Sequence, residues 1–204
     1  MIAAHYFSNN RSLRIGIQGG PGSFNEAAVH MKLNQESHSN FSLTYLYTTE
    51  RTLEALTDKI IDLAHFALYN SEAGPVDETL ACLGSYRYQV IDSFTMRIEH
   101  HLLARSGCKI EEIREVMAHP QALMQCRQTL EQRHPRLKKT VGSADFIDPS
   151  RIAQGIINQE LDSAIAVIGS TTLAKLYNLE VLDSCIQDSM NNDTTFLWVA
   201  RKDA

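Results

Sequence analysis

Five turns in this sequence place small hydroxyl or amide residues where an extended run gives way to a helical one. They are Gly22-Ser23, Asn70-Ser71, His119-Pro120-Gln121, Gly142-Ser143 and Gly169-Ser170. The first turn of a helix carries backbone N–H groups with no intrahelical partner and the positive end of the aligned peptide dipoles. Such a turn holds a carboxylate or phosphate without any cationic side chain. In an open α/β sheet these turns gather at the carboxyl ends of the strands, where ligands bind. The chemistry they point to is recognition of a small anionic acid. Taken singly, each is also an ordinary helix cap; five at strand ends favour a shared cleft.

Other chemistries fit less well. Gly19-Gly20-Pro21-Gly22 has neither the G-x-x-x-x-G-K nor the G-x-G-x-x-G spacing, so nucleotide binding is not expected. His100 and His101 are adjacent, so on a strand they point to opposite faces, and no H-x-x-x-H pair includes them or His119. Cys82, Cys108, Cys126 and Cys185 form no C-x-x-C pair, and no metal site is expected. Tyr45, Tyr47, Phe94 and Trp198 are spaced as strand core, not as a base-stacking platform. The polar run Asp188 to Thr195 before a terminal apolar strand reads by itself as a normal loop.

The elements that must position these turns are legible in outline. Leu13 to Ile17 reads as a strand, and Ser23 caps a helix with Glu26 at the capping-box position. Phe41 to Leu46 is a strand, and Glu50 to Ile61 is a helix with Leu53, Leu56, Ile60 and Leu63 on one stripe. Ala64 to Leu68 is a buried strand, 70–75 a loop, and Val76 opens a helix. The order βαβαβα predicts a mostly parallel sheet covered by helices. Tyr88 to Ala104 reads as an extended pair of strands leading to a second lobe. There His119 starts a helix running through Gln132, Lys139 to Val141 is a strand, and Pro149 sits in the first turn of the next helix. Further strands follow at 163–167, 179–182 and 194–199.

Composition sets the outer bounds. The chain has 204 residues, 44% hydrophobic and 21% charged, which is ample for a core and unlike a disordered segment. With a formal net charge of −5, its one dense basic cluster, Arg133 to Lys139, reads as a solvated helix end, and neither nucleic acid nor membrane is an expected partner. No apolar run approaches the about 20 residues of a membrane span. The first ten residues have no secretory pattern, and the expected address is the cytoplasm.

Taken in order, several segments resemble the prephenate dehydratase family. Gly19 to Ala28 is similar to the first ten positions of the family's G-x-x-G-T-F-S-x-x-A-A, and Leu68-Tyr69-Asn70-Ser71 to its I-E-N-S, with Gly74, Val76 and Thr79 following. Ile98 to Leu102 resembles I-x-H-x-L, and Ala118 to Cys126 resembles S-H-P-Q-A-L-x-Q-C. Asp188, Asn192, Thr194, Thr195 and Phe196 resemble D-x-x-x-N-x-T-R-F. The matches keep their order from Ile15 to Phe196.

The resemblance implies a two-lobed α/β fold like that of type II periplasmic binding proteins, with a central ligand cleft. The lobes are expected at 13–85 plus 184–204 and at 86–183. It implies loss of water and carbon dioxide from prephenate to give phenylpyruvate, a step toward phenylalanine, without cofactor and in a homodimer. Thr194 takes the catalytic position, as a hydrogen-bond donor to the leaving hydroxyl. Ser23, Phe24, Asn70, Ser71, His119, Gln121, Ser143, Asn192 and Phe196 take substrate-binding positions. Two positions depart from the pattern: Tyr69 stands for Glu, and Thr195 for Arg. A guanidinium clamps a carboxylate through two hydrogen bonds and threonine does not; Arg14, Arg87, Arg97 or Arg105 could supply the missing cation. The departures leave two alternatives open: a decarboxylase-like enzyme that retains the ring hydroxyl, and a non-catalytic sensor of small carboxylic acids. The chain ends soon after the last motif, so neither the regulatory ACT domain nor a fused chorismate mutase is expected.

Overall fold

Strand β1 (Leu13–Ile17) alternates apolar residues with a turn-free backbone, and Ile15 and Ile17 are fully buried. It seeds the first of two α/β units in the computed structural model, which describes Tyr6 and residues 12–202. Apart from Tyr6, the first ten residues, expected not to form a secretory signal, lie outside that range.

The first unit runs to Gly20, resumes over Phe24–Arg97 and ends with the stretch from Asp193. It contains α1 (Phe24–Gln35), β2 (Phe41–Tyr45), α2 (Thr49–Thr57), β3 (Leu63–Asn70), β4 (Gly74–Pro75), α3 (Asp77–Leu83), β5 (Tyr88–Arg97) and β11 (Asp193–Arg201). The strand order is β2-β1-β3-β11-β5, with β4 paired to β3. β1 pairs in parallel with β2 and β3; β11 is antiparallel to both β3 and β5, so β5 runs in the same direction as β3. The sheet is therefore mixed: three of its five strand pairings are antiparallel, where the element order predicts a mostly parallel sheet. The cause is β11, which returns from the far end of the chain. α1 covers one face with Val29 and Leu33 against Leu13, Ile15, Leu63 and Trp198. α2 and α3 cover the other with Leu53, Leu56 and Cys82 against Ala64, Phe66, Leu197 and Val199.

The second unit holds 21–23 and Ile98–Asn192. Its strands are β6 (His101–Arg105), β7 (Glu115–Ala118), β8 (Lys138–Val141), β9 (Ile165–Gly169) and β10 (Leu179–Asp183), in the order β10-β6-β9-β7-β8. β7 is parallel to β8 and β9, while β6 is antiparallel to β9 and β10. Its helices are α4 (Pro120–Gln125), α5 (Arg127–Arg133), α6 (Pro149–Ile157) and α7 (Thr171–Leu176). Cys126 and Leu130 pack against Val116 and Ala166, whereas Ile152, Ile156 and Leu173 pack against Leu103 and Val167.

Several expectations change. β5, placed by sequence in the second lobe, pairs along its whole length with β11, from Tyr88↔Arg201 to Arg97↔Asp193. Residues 184–192, placed in the first lobe, are tied to the second unit by Ile186 N–H to His100 O (2.9 Å) and Asp188 N–H to Gln125 O (2.7 Å). The crossings accordingly fall at 97/98 and 192/193 instead of 85/86 and 183/184. The helix expected through Gln132 is broken at Cys126, whose φ of −114° leaves helical geometry. Ile60 follows the last turn of α2 and is 56% exposed, and Leu63 opens β3 and packs in the cluster of α1, so neither is on the buried stripe of α2. Tyr47, expected in the core, is exposed at a positive φ of 64°.

Candidate functional site

Thr194 is the first inward-facing residue of β11, and its hydroxyl is fixed by Asn70 directly opposite on β3. The Asn70 carboxamide oxygen accepts from the N–H groups of Glu72 (3.0 Å) and Ala73 (2.9 Å). That turn orients the amide, so its nitrogen faces β11 and donates to Thr194 Oγ1 at 2.9 Å. Both side chains are nearly buried, at 4% and 7% exposure. The threonine oxygen thus accepts one bond, and its own hydrogen remains to be donated; among the described residues nothing accepts it. Ser71 clasps the same strand start, its N–H bonding Asp193 O (2.8 Å) and its Oγ accepting from Asp193 N–H (2.9 Å).

A β-bulge makes this pairing possible. Along β11, Phe196 pairs with Ala67 but Thr195 pairs with Tyr69, so Leu68 is the extra residue. Side chains alternate along a strand, and one inserted residue reverses the alternation beyond it. Below the bulge, Leu63 and His65 face α1 while Ala64 and Phe66 face α2 and α3. Beyond it, Asn70 is turned to the α1 face, which Thr194 shares with Phe196 and Trp198. Tyr69 and Thr195 are turned to the opposite face, where the Thr195 hydroxyl meets Thr95 Oγ1 at 3.2 Å.

Phe196, expected to touch substrate, is only 1% exposed. Its ring stacks on His65 (5.3 Å between centroids) and Phe94 (5.8 Å), which anchors β11 beneath Thr194. His65 is fully buried, and neither ring nitrogen has a hydrogen-bond partner. Burial pushes its pKa down to about 3, while the nearby Leu197 backbone pulls weakly the other way without reaching hydrogen-bond geometry. The imidazole is neutral and serves as a flat apolar ring.

In the second unit, His119 caps α4: its Nδ1 accepts from Gln121 N–H at 3.2 Å. The neutral ring therefore carries its proton on Nε2. Burial lowers the His119 pKa, opposed by the Asp148 charge. His119, Gln121 and Ser143 are exposed. Asn192 is buried, and its amide nitrogen reaches Gln125 Oε1 at 3.3 Å. That same oxygen meets His100 Nε2 at 2.7 Å. Sequence reasoning passed over Gln125, although it stands in the same motif as His119 and Gln121; only the fold shows it joining His100 to Asn192.

The other turns divide. Ser23 immediately precedes α1, and Phe24 is its first residue, half-buried. Asn70-Ser71 leads into β4 and not into a helix, so its polar groups act on β11. Ser170 is buried, donates to Gly22 O (2.8 Å) and accepts from Leu173 N–H (3.0 Å), which spends it as an internal cap. Among the described residues no cluster of three or more His, Cys, Asp or Glu side chains could hold a metal, and no helix is long and apolar enough to cross a membrane.

The prephenate dehydratase family model matches residues 15–204. An arogenate dehydratase of Petunia hybrida is 32% identical over 190 residues, covering 93% of this chain and 45% of its own length. The chain spans about half the length of the curated relatives it matches. A prephenate dehydratase of Arthrobacter aurescens, solved with L-Phe, aligns with a TM-score of 0.81 at 25% identity, over 94% of this chain and 61% of that one. A Bacillus subtilis lipoprotein described as methionine-binding shares the fold alone (TM-score 0.50, 13% identity, 94% and 83% covered). The architecture is the two-unit α/β fold of periplasmic-binding-protein-like domains, and the chain belongs to the prephenate dehydratase family.

Proposed function

We propose that this protein is a lyase that removes water and carbon dioxide from prephenate or a close relative, in phenylalanine biosynthesis. The observation that carries the reading is the Asn70–Thr194 pair, in which the amide donates to the hydroxyl and leaves the threonine hydrogen for a ligand. In the reaction the bond from the ring to its carboxylate breaks and its electron pair moves through the diene. The bond to the ring hydroxyl then breaks, and the leaving oxygen departs as water after gaining one proton. A threonine hydroxyl is a very weak acid, so Thr194 acts by hydrogen bonding to the leaving oxygen and by orientation, while aromatisation supplies the driving force.

Ser23, Phe24, Ser71, His119, Gln121 and Ser143 supply hydroxyl, backbone N–H, side-chain amide and neutral imidazole donors for the carboxylates, and no cofactor takes part. Asn192 and Phe196 act from behind, by holding their neighbours. Arogenate, acted on by the Petunia relative, differs from prephenate in bearing an amino group beside the side-chain carboxylate, and either acid suits this donor set. The unpaired cysteines support a cytoplasmic address, and the family resemblance a homodimer.

The test is to mix the protein with prephenate, and separately with arogenate, at neutral pH and follow phenylpyruvate or phenylalanine. Thr194→Ala is the control. The reading expects an aromatic product and its loss, by at least about a hundredfold, in the variant. A non-aromatic product that has lost only carbon dioxide, or an unchanged Thr194→Ala, would reject it.

A further inference from the structure

The two motif departures, Tyr69 and Thr195, are direct partners: they stand opposite one another across β3 and β11. Their charges also cancel. Glu to Tyr removes one negative charge and Arg to Thr one positive charge, so together they leave the net charge unchanged. Residues directly opposite in a sheet interact most strongly, and an opposite-charge pair is one of the favourable combinations there. Both side chains lie on the face turned away from Thr194, because the bulge at Leu68 sends Asn70 to the Thr194 side and Tyr69 to the other. Thr195 completes the rung through its hydroxyl contact to Thr95. One rung along the same face lies a charged pair of this chain's own, Arg97 with Asp193 at 3.4 Å. Arg97 therefore cannot replace a guanidinium on the Thr194 side, and Arg14 is held by Asp62 through two short contacts, of 2.9 and 3.1 Å.

We infer that Tyr69 and Thr195 are one coupled exchange, a neutral cross-strand pair standing in for a Glu–Arg pair, and that neither side chain binds the substrate's carboxylates. The two departures thus leave the Thr194 face as it is. The kinetic half of this inference rests on the proposed function; the coupling half does not.

The experiment is a melting cycle on Tyr69→Glu, Thr195→Arg and the double variant, at 50 mM and 1 M salt, with prephenate kinetics on each. Thr195→Arg alone adds a cation on the face of Arg97 with no carboxylate opposite, and Tyr69→Glu alone adds an unpaired anion. Each single variant is expected to lower Tm by about 2–4 °C. The double variant should regain at least half of the summed loss at 50 mM salt, and less at 1 M, where the Debye length is about 3 Å. KM for prephenate should stay within threefold throughout. Strictly additive Tm changes would overturn the coupling. A tenfold fall in KM on Thr195→Arg would overturn the second half, since a guanidinium at 195 would then be reaching substrate. If the parent protein turns over neither prephenate nor arogenate, the proposed function fails, and the melting cycle still decides the coupling.

Discussion

Replacing His65 with phenylalanine should flatten the acid side of the stability profile. In the folded protein the imidazole is fully enclosed by Phe94, Phe196 and Trp198, with no hydrogen-bond partner for either nitrogen, and burial pushes its pKa down to about 3. In the unfolded chain it returns to about 6.5. The folded pKa is the lower, so the unfolded state takes up the proton first, and stability present above pH 6.5 is lost as pH falls toward 3. Each pH unit in that window costs about 1.4 kcal/mol, and the loss between pH 7.5 and 4.5 comes to about 2.7 kcal/mol. His100, His101 and His119 also have lowered pKa values through burial and add to the same slope, while the raised pKa of buried Asp148 opposes it. All four are unchanged in His65→Phe, so they cancel in the difference between the two proteins. Overpacking by the larger ring costs about 1–3 kcal/mol but does not depend on pH. The assay is urea unfolding of both proteins at half-unit steps from pH 7.5 to 4.5. The variant should gain on the parent by about 2.7 kcal/mol across that range, whatever their order at neutral pH. Parallel profiles would refute the reasoning, because they would mean that His65 reaches solvent or a partner in the native state.

Other perturbations test the site and its supports. Asn70→Ala removes the amide that orients the Thr194 hydroxyl, and kcat for prephenate should fall about 10- to 100-fold with a smaller change in KM; steady-state kinetics on a variant with parental circular dichroism checks this. Asp188 accepts from Gln128 N–H (2.9 Å) and Thr129 N–H (2.8 Å) at the start of α5, so Asp188→Ala should cost about 0.5–2 kcal/mol in urea unfolding. A methyl group at Gly142 would lie 1.8 Å from Phe146 O, which is backbone and cannot swing away, so Gly142→Ala should cost at least about 1–3 kcal/mol by the same measurement.

How far the sequence reached depends on the distance over which each feature is encoded. Elements fixed by local periodicity and caps, such as β1, α2 and α6, were legible to within a few residues, because Ile15 and Ile17, Leu53 and Leu56, and Ile152 and Ile156 report their own burial. Strand partners are not local. Nothing between Tyr88 and Arg97 says that this strand will lie beside one that begins at Asp193, and the antiparallel pairings that β11 brings into the sheet are non-local for the same reason. The candidate site shows both cases at once. Asn70 and Thr194 each stand in a short recognisable segment, so their involvement could be read, but the bond between them depends on Leu68 bulging out of β3. A bulge has no period, and no residue type announces it here. Without it, the alternation would put Asn70 on the α2 and α3 face that Tyr69 now occupies, and the amide would orient nothing. The same displacement carries Tyr69 to the side of Thr195, which turns two apparently separate losses of charge into one pair. The position of a single extra residue in β3 thus determines which of the motif residues can serve the chemistry and which can vary together without reaching it.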